Sequence, residues 1–329
     1  MSGALLEAEA LTKHFPVRRG LLGRTAGVVR AVDSVSFTID TGRTLGLVGE
    51  SGCGKTTTSR MILNVESPTS GAIRFDGAPL AGLDRAGLRR YRRAVQAVFQ
   101  DPHASLDPRM RVGAIVGEPI VINERPNAAT LRRRVLELLD LVGLPARAAE
   151  LFPHEFSGGQ RQRIAIARAL ALSPRLVVLD EPVSALDVSI RAQILNLLRD
   201  LQRRLGVAYL FIAHDLAAVA HMSHAIAVMY LGKIVERAAT ATLFARPRHP
   251  YTVALLSAVP EVGGERRDIV PIEGEPPSAV RMPAGCRFHP RCPWREDRCL
   301  QRSPELRELA PAHLVACHVA GDRAAADGG

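Results

Sequence analysis

A glycine-rich turn that directly follows a short apolar strand constrains this chain more than any other feature. Residues 45–48 read L-G-L-V, and the next nine read G-E-S-G-C-G-K-T-T. The G-x-x-x-x-G-K-T spacing lets backbone N–H groups turn inward around a phosphate, and the N-terminus of the next helix adds positive potential. We therefore expect a phosphate-binding loop between a strand and a helix. Its residues are Gly49, Glu50, Ser51, Gly52, Cys53, Gly54, Lys55, Thr56 and Thr57.

A second motif supplies the acids that a phosphate site needs. Lys55 should reach the β- and γ-phosphates, and the Thr56 hydroxyl should hold magnesium. Residues 176–182 read L-V-V-L-D-E-P, an apolar strand that ends in two acids. Asp180 suits the magnesium shell, reached through water, and Glu181 is placed to polarise the attacking water as general base. Because acid pairs at strand ends are also ordinary solvated turns, this interpretation depends on the loop upstream.

The order of apolar segments predicts an α/β fold. Val35, Phe37 and Ile39 alternate as in a strand, and a continuous apolar strand is predicted at 208–212. A helix is predicted from Thr130 until Gly143 stops it. Strands that alternate with helices indicate a mainly parallel sheet.

Charge and hydropathy exclude several classes. The net charge of +10 comes almost wholly from arginine, since Lys13, Lys55 and Lys233 are the only lysines. Such a balance permits attraction to nucleic acid or an anionic membrane surface, but the arginines are scattered and lack interleaved aromatics. No secretory signal is visible, and the most apolar stretch, 207–235, is broken by an acid and several histidines. We expect a soluble chain that reaches a membrane through a partner.

A third motif indicates the superfamily. Residues 156–160 read F-S-G-G-Q and precede a predicted helix that runs to about residue 172, with Ser157 as its N-cap. The segment resembles the signature motif of ABC ATPases, whose usual first residue is leucine, where this chain has Phe156. The resemblance implies that this helix N-terminus contacts the γ-phosphate bound by a second ATPase subunit. The residues concerned are Ser157, Gly158, Gly159 and Gln160.

Four further residues match ABC motifs in order along the chain. Gln100 resembles the Q-loop glutamine, which touches magnesium and water and reports to the membrane subunit. Asp187, in S-A-L-D, resembles the D-loop, and His214 resembles the switch histidine that contacts the γ-phosphate. Phe15 matches the aromatic residue that stacks on adenine, although core packing is the alternative for this side chain.

Two segments beyond the ATPase motifs indicate a branch of the family. Residues 246–260 read R-P-R-H-P-Y-T-V-A-L-L-S-A-V-P, and residues 285–293 read G-C-R-F-H-P-R-C-P. Both closely resemble the C-terminal extension of dipeptide/oligopeptide importer ATPases, and the insert at 17–23 also fits that branch. The resemblance implies uptake of di- or oligopeptides. Nickel and glutathione importers share the extension and stay as alternatives.

Four of the five cysteines lie close together near the C-terminus. Cys286, Cys292, Cys299 and Cys317 form a soft-ligand set suited to zinc or an iron–sulfur cluster. The spacing lacks the paired C-x2-C of zinc ribbons, and the extension that it resembles is associated with a 4Fe–4S cluster. We favour the cluster, with zinc or free thiols as alternatives.

The resulting fold prediction is a P-loop ABC ATPase core with an antiparallel β-subdomain, a helical subdomain and a small C-terminal extension. The nucleotide-binding domain should occupy residues 1–236, with its helical subdomain at about 101–172, and the extension residues 237–329. The resemblance implies a Mg²⁺-dependent ATPase at the cytoplasmic face of the cell membrane. Its partners would be a second ATPase subunit, two permeases and an extracytoplasmic peptide-binding protein.

Two rival functions differ in class. One is an ABC ATPase that acts on nucleic acid or ribosomes, but such chains carry coiled coils, zinc inserts or two fused cores. The other is a non-hydrolysing partner in an asymmetric pair. The presence of Lys55, Glu181, Ser157 and His214 argues against that second possibility.

Overall fold

The chain divides into two units, which are described in turn. The structure is a computed structural model, and it describes residues 3–19, 24–100, 105–257, 272 and 274–321. Part of the insert at 17–23, and the first residues of the predicted helical subdomain at 101–104, lie outside the described residues. The first unit comprises residues 1–6, 39–44 and 75–213, and the second comprises residues 7–38, 45–74 and 214–329.

The first unit contains three parallel strands. They are β6 (Val95–Val98), β7 (Leu176–Asp180) and β8 (Ala208–Ile212), and β7 pairs with both of the others. Every residue of β7 and β8 is buried. A strand covered on both faces needs a continuous apolar sequence, which is why these two segments were recognisable. The predicted strands are confirmed, and β7 includes Asp180 as its last residue.

Helices make up most of the remainder of this unit. Three of them pack on one another: α3 (Val112–Glu124), α4 (Ala128–Leu141) and α5 (Gly158–Leu170). The other elements are β5 (Ala78–Pro79), α2 (Arg85–Ala94), α6 (Val188–Leu205) and 3-10 turns at Ala146–Glu150 and Pro153–Glu155.

The predicted boundaries of two helices are shifted by two residues. The helix expected from Thr130 begins at Ala128, because the Asn127 side chain caps it and accepts a hydrogen bond from the Thr130 N–H at 2.8 Å. Gly143 follows the helix end with a φ of 71°, as expected of a stop residue. The signature helix ends at Leu170 rather than at residue 172.

The second unit contains two sheets. In one, β2 (Arg24–Asp40), β1 (Ala4–Arg19) and β4 (Ser70–Phe75) lie side by side in this order. The alternating Val35 and Phe37 of β2 are buried, which confirms that prediction.

The other sheet carries the phosphate loop. Strand β3 (Thr44–Val48) runs parallel to β9 (Ala225–Tyr230), and β9 pairs antiparallel with β10 (Lys233–Ala239). The C-terminal strand β12 (His313–Val315) pairs antiparallel with β10 and with β11 (Arg307–Ala310). The helices are α1 (Lys55–Ile62), α7 (Leu216–Met222), α8 (Thr240–Ala245), α9 (Pro250–Ser257) and α10 (Asp297–Gln301), with a 3-10 turn at His289–Arg291.

The mixed α/β class predicted from the sequence is confirmed. The domain boundary at 236/237 and the limits of the helical subdomain stay predictions. Among the residues that the structure describes, every helix is too short or too polar to cross a bilayer.

Candidate nucleotide-binding site

The turn between β3 and α1 has the conformation that a phosphate-binding loop requires. Gly49 and Gly54 have φ of 150° and 111°, a region that side chains disfavour. A Cβ on Gly49 would lie 2.1 Å from the carbonyl oxygen of Met229, and one on Gly54 would lie 2.2 Å from that of Ala31. Both glycines are therefore required by the close approach of neighbouring backbone. Gly52, with φ of 78°, has open space around it.

Lys55 is folded over this loop. Its side chain is 7% exposed, and Nζ donates hydrogen bonds to the carbonyl oxygens of Gly49 at 2.7 Å and Glu50 at 3.0 Å. Cys53 is buried beside it, with Sγ 3.8 Å from Nζ. Burial raises the pKa of the Cys53 thiol although the lysine charge opposes the shift. Cys53 is thus a neutral packing residue of the loop.

Glu50 links this loop to residues near the C-terminus. Its backbone N–H donates to the Tyr251 hydroxyl at 2.8 Å. Its carboxylate receives two hydrogen bonds from Arg291, at 2.9 Å and 3.2 Å. A bidentate arginine–carboxylate pair fixes both position and orientation. Neither partner was identified from the sequence.

Two further predicted site residues lie in the same unit. Phe15, on β1, is half-buried, and the Lys13 ammonium lies 5.1 Å from the centre of its ring. His214 is exposed and immediately precedes Asp215, the N-cap of α7. Their contacts with nucleotide stay predictions.

The predicted acids lie in the first unit, at the end of β7. Asp180 is 8% exposed, and its carboxylate is the last side chain of the strand. Glu181 has a φ of 51°, and its N–H donates to the carbonyl oxygen of Ile212 at 2.8 Å. A positive φ at a non-glycine residue is strained, and such residues concentrate at functional sites. The separate roles expected of the two acids stay predictions.

The signature segment forms a capped helix start. Ser157 Oγ accepts from the Gln160 N–H at 3.4 Å, and the Gln160 side chain accepts from the Ser157 N–H at 3.0 Å. This is the reciprocal arrangement of a capping box. A Cβ on Gly159 would lie 2.5 Å from Ile190 Cγ2, whereas one on Gly158 would make an ordinary contact with Leu186 at 3.4 Å. Gly159 is therefore needed for the packing of α5 against α6, and its contact with phosphate stays a prediction.

Two predicted residues of the first unit occupy loops at element ends. Gln100 is exposed and follows β6 closely. Asp187 is the N-cap residue of α6, and its carbonyl oxygen accepts from the Arg191 N–H at 2.8 Å. Their expected roles stay predictions. The structure thus groups the phosphate loop, Phe15 and His214 in one unit and the other ATPase motifs in the other.

The four C-terminal cysteines are close enough for their charges to interact. Burial raises the pKa of Cys286 to about 11 and that of Cys292 to about 12, and the neighbouring thiolates add to both shifts. The Trp294 N–H donates to Cys292 Sγ at 3.4 Å, and backbone N–H groups also point at Cys286 and Cys317. Within the described ranges, no group of three or more His, Cys, Asp or Glu side chains is arranged so that it could hold a metal ion.

Comparisons with known proteins indicate the family of this chain. Residues 32–184 match the ABC transporter family, and residues 235–299 match the oligopeptide/dipeptide transporter, C-terminal region. A probable peptide ABC transporter ATP-binding protein of Sinorhizobium fredii is 51% identical over 99% of this chain and 93% of its own length. An oligopeptide transport ATP-binding protein of Bacillus subtilis is 48% identical over 96% of this chain and 97% of its own length.

A solved structure shares the fold. It is a dimeric ATP-binding cassette in a post-hydrolysis state, bound to ADP and phosphate. The match has a TM-score of 0.63 and 28% identity, and it covers 71% of this chain and 98% of the cassette. The resemblance inferred from the motifs is confirmed. The chain belongs to the ATP-binding proteins of ABC transporters, in the branch that carries the oligopeptide/dipeptide transporter C-terminal region.

Proposed function

We propose that the chain binds and hydrolyses ATP to drive uptake of di- or oligopeptides through partner permeases. The observation that carries this proposal is the phosphate loop, where Gly49 and Gly54 leave no room for side chains and Lys55 lies across the turn. The loop amides and Lys55 would bind the polyphosphate, and Phe15 would stack on adenine. The names of the relatives, which refer to peptide and oligopeptide transport, support the cargo.

Magnesium would be held by oxygen ligands. The ligands would be Thr56, Asp180 and Gln100, whose hydroxyl, carboxylate and amide oxygens are of the kind that suits a hard cation. The cation would neutralise charge on the transferring phosphoryl group. Glu181 would take a proton from the attacking water, and His214 would donate to the γ-phosphate.

The signature residues would complete the site of a second ATPase subunit. The dimeric cassette bound to ADP and phosphate supports this arrangement, because its fold matches that of the present chain. Ser157 and the following backbone N–H groups would bind the γ-phosphate in the facing subunit, with Asp187 beside them. ATP would then close two subunits, and hydrolysis would reopen them.

A groove in the first unit offers a surface for a permease. It has a volume of about 730 Å³, lies between α2 and α3, and includes Ile122, whose side chain is 65% exposed. Its basic residues are Arg85, Arg89, Arg92, Arg125 and Arg168. Glu118, which also lines the groove, pairs with Arg168 at 2.8 Å, and the excess of arginines around Ile122 suits a short segment of mixed acidic and apolar character. We infer a peripheral position at the cytoplasmic face, with a peptide-binding protein on the other side of the membrane.

The ATPase proposal is tested with Glu181→Gln in the assembled transporter. ATP binding should persist, while hydrolysis should fall by about 10²–10⁴-fold, because the general base is lost. Glu150→Gln is a matched control, since Glu150 is exposed and pairs with Arg111. Hydrolysis at the wild-type rate in Glu181→Gln would remove this residue from the mechanism.

The proposed contact of the signature segment with the γ-phosphate of the facing subunit is tested with Gly158→Asp. Gly158 has room for a side chain, whereas any substitution at Gly159 would also disturb Ile190. A carboxylate at this position would repel the γ-phosphate of the facing subunit. The full chain should keep its ATP affinity while the transporter loses turnover. A loss of ATP affinity in the single chain would show instead that the segment contacts the ATP bound by the same chain.

We also propose that Cys286, Cys292, Cys299 and Cys317 hold a 4Fe–4S cluster. Burial raises the pKa of these thiols, so a bound metal would have to stabilise their thiolate form, which backbone N–H donors to sulfur also favour. Among the described residues, no group of three or more His, Cys, Asp or Glu side chains is arranged to hold a metal ion, so the proposal rests on the chemistry of the four thiols.

Metal analysis of anaerobically purified protein tests this proposal. Iron and acid-labile sulfide should be present in near-equal amounts, and Cys292→Ser should remove them. Cys53→Ala, which changes the cysteine of the phosphate loop, should leave the iron content unchanged. One zinc per chain would replace the cluster by a four-thiolate zinc site, and the absence of any metal would leave free thiols.

A further inference from the structure

We propose that Arg291 and Tyr251 position the phosphate-binding loop by holding Glu50, so that affinity for MgATP depends on the C-terminal segment. This inference rests on the proposed nucleotide site. We refer to the contacts of Arg291 and Tyr251 with Glu50 as the Glu50 clamp. Glu50 lies in the phosphate loop, whereas its two partners lie 201 and 241 residues further along the chain.

Glu50 is fixed at three places. Its N–H donates to the Tyr251 hydroxyl at 2.8 Å, and its carbonyl oxygen accepts from Lys55 Nζ at 3.0 Å. Its carboxylate forms the bidentate pair with Arg291, whose side chain is 7% exposed. Since Glu50 directly follows Gly49, the clamp sets the direction in which the chain enters the loop.

Buried aromatic residues support the clamp. Tyr230, Tyr251 and Phe288 are almost fully buried, and their ring centres lie 4.7–5.5 Å apart. The Arg291 guanidinium lies 5.9 Å from the centre of the Tyr230 ring and also donates to its hydroxyl at 3.5 Å. Close packing leaves these rings little freedom, so the hydroxyl and guanidinium groups that hold Glu50 are pre-organised.

A second contact holds the same segment near the loop. Arg287 donates to the carbonyl oxygen of Leu231 and pairs with Asp33. Gly232, which follows Leu231, donates its N–H to the carbonyl oxygen of Cys53 at 2.8 Å. The segment from Cys286 to Cys292 therefore carries one arginine, Arg291, that contacts the loop, and a second, Arg287, that contacts the residue before Gly232.

The clamp also neutralises the negative charge of the Glu50 carboxylate. A carboxylate in a loop that binds a polyphosphate repels its ligand, and the repulsion is stronger where water is excluded. The Arg291 guanidinium neutralises Glu50 in place and directs both carboxylate oxygens into the ion pair. Loss of Arg291 should weaken the binding of ATP in the ground state and in the transition state by the same amount. This raises KM and leaves kcat nearly unchanged.

The test measures the kcat and KM of the assembled transporter for MgATP, together with the Kd of the full chain. Arg291→Met should raise KM and Kd about tenfold, the effect expected from loss of one charge-assisted contact. The double variant Arg291→Met with Glu50→Gln should recover much of this loss, because the repelling charge is also removed. Because Glu50→Gln would also relieve a loss of stability caused by the unpaired carboxylate, the thermal midpoints of both variants are measured as well. A change in KM at equal thermal midpoints assigns the effect to affinity.

A control variant, a second test variant and a metal measurement accompany Arg291→Met. Arg298→Met removes another arginine of the C-terminal segment, which pairs with Glu296, and should leave KM unchanged. Tyr251→Phe keeps the ring but removes the hydroxyl that accepts the Glu50 N–H, and should raise KM severalfold. Metal content should be equal in all variants.

Each outcome decides one proposal. An unchanged KM in both Arg291→Met and Tyr251→Phe would overturn the clamp. Failure of the double variant to recover affinity would overturn the electrostatic part. If the wild-type transporter itself shows no MgATP hydrolysis, the proposed function fails, and the Kd values of the full chain still report on the clamp.

Discussion

Acidification should destabilise the second unit through His249. The imidazole is 1% exposed, and its Nδ1 accepts a hydrogen bond from the Tyr251 N–H at 3.1 Å. Only the neutral ring can accept in this way. Burial lowers the pKa of His249 from 6.5 to about 4, although the charge of Glu236 partly opposes the shift.

The sign and size of the effect follow from this pKa. The unfolded chain takes up a proton below pH 6.5, whereas the folded chain does so only near pH 4. The free energy of unfolding therefore decreases as the pH falls through this range, and the contribution is complete above it. The full difference is about 3 kcal/mol, and roughly 2 kcal/mol is lost by pH 5. Glu236 accepts a hydrogen bond from the His249 N–H at 2.9 Å, and its carboxylate lies 2.7 Å from His313 Nε2. Glu236 and His313 are therefore left unchanged in every variant that is compared with the wild type.

Urea unfolding between pH 8 and pH 5 measures the effect. Trp294, the single tryptophan, packs partly buried against Val315 and Cys317, so its fluorescence reports on this unit. His249→Asn should show a smaller loss of stability on acidification than the wild type, by roughly 2 kcal/mol at pH 5. His154→Gln, which changes an exposed histidine, should behave like the wild type. Equal pH dependence in wild type and His249→Asn would refute the reasoning.

Three further predictions concern a helix cap, the packing of two glycines and the reactivity of a buried thiol. Ser157→Ala should lower the urea midpoint by an amount equivalent to about 1 kcal/mol, because the helix loses its N-cap acceptor; an unchanged midpoint would contradict this role. Gly159→Ala should cost about 1–3 kcal/mol through its overlap with Ile190, whereas Gly158→Ala should cost less, and thermal melts of the pair would show the difference. Cys53 should resist iodoacetamide at pH 7 in the folded chain, because burial keeps the thiol protonated, and mass spectrometry of the labelled peptide would detect any reaction.

The features that could be predicted from the sequence are local in the chain. The phosphate loop was recognisable because backbone geometry fixes the spacing of its glycines and lysine over eight residues. The strands β7 and β8 were recognisable because burial on both faces demands continuous apolar runs. Helix boundaries were less accurate, since the cap at Asn127 competes with other polar residues nearby.

The contacts that were missed join residues far apart in the chain. Ile190 explains why Gly159 cannot carry a side chain, but nothing in the residues around either position indicates their contact. Arg291 lies between Cys286 and Cys292, and the residues around it predict metal ligands rather than a contact with the phosphate loop. A weak signal existed in the acid at position 50, because a negative charge in a phosphate loop requires a partner.

That acid changes how the C-terminal segment should be understood. The residues expected to act in hydrolysis lie between Lys55 and His214, so the sequence alone assigns the segment no part in the chemistry. The bidentate pair shows a second possibility, because Arg291 stands directly before Cys292 and its guanidinium reaches the residue that follows Gly49. Anything that orders the four cysteines would therefore also fix the direction of this arginine. In the proposed scheme, the cysteine site contributes to ATP affinity through the position of one side chain, without contributing a group to hydrolysis.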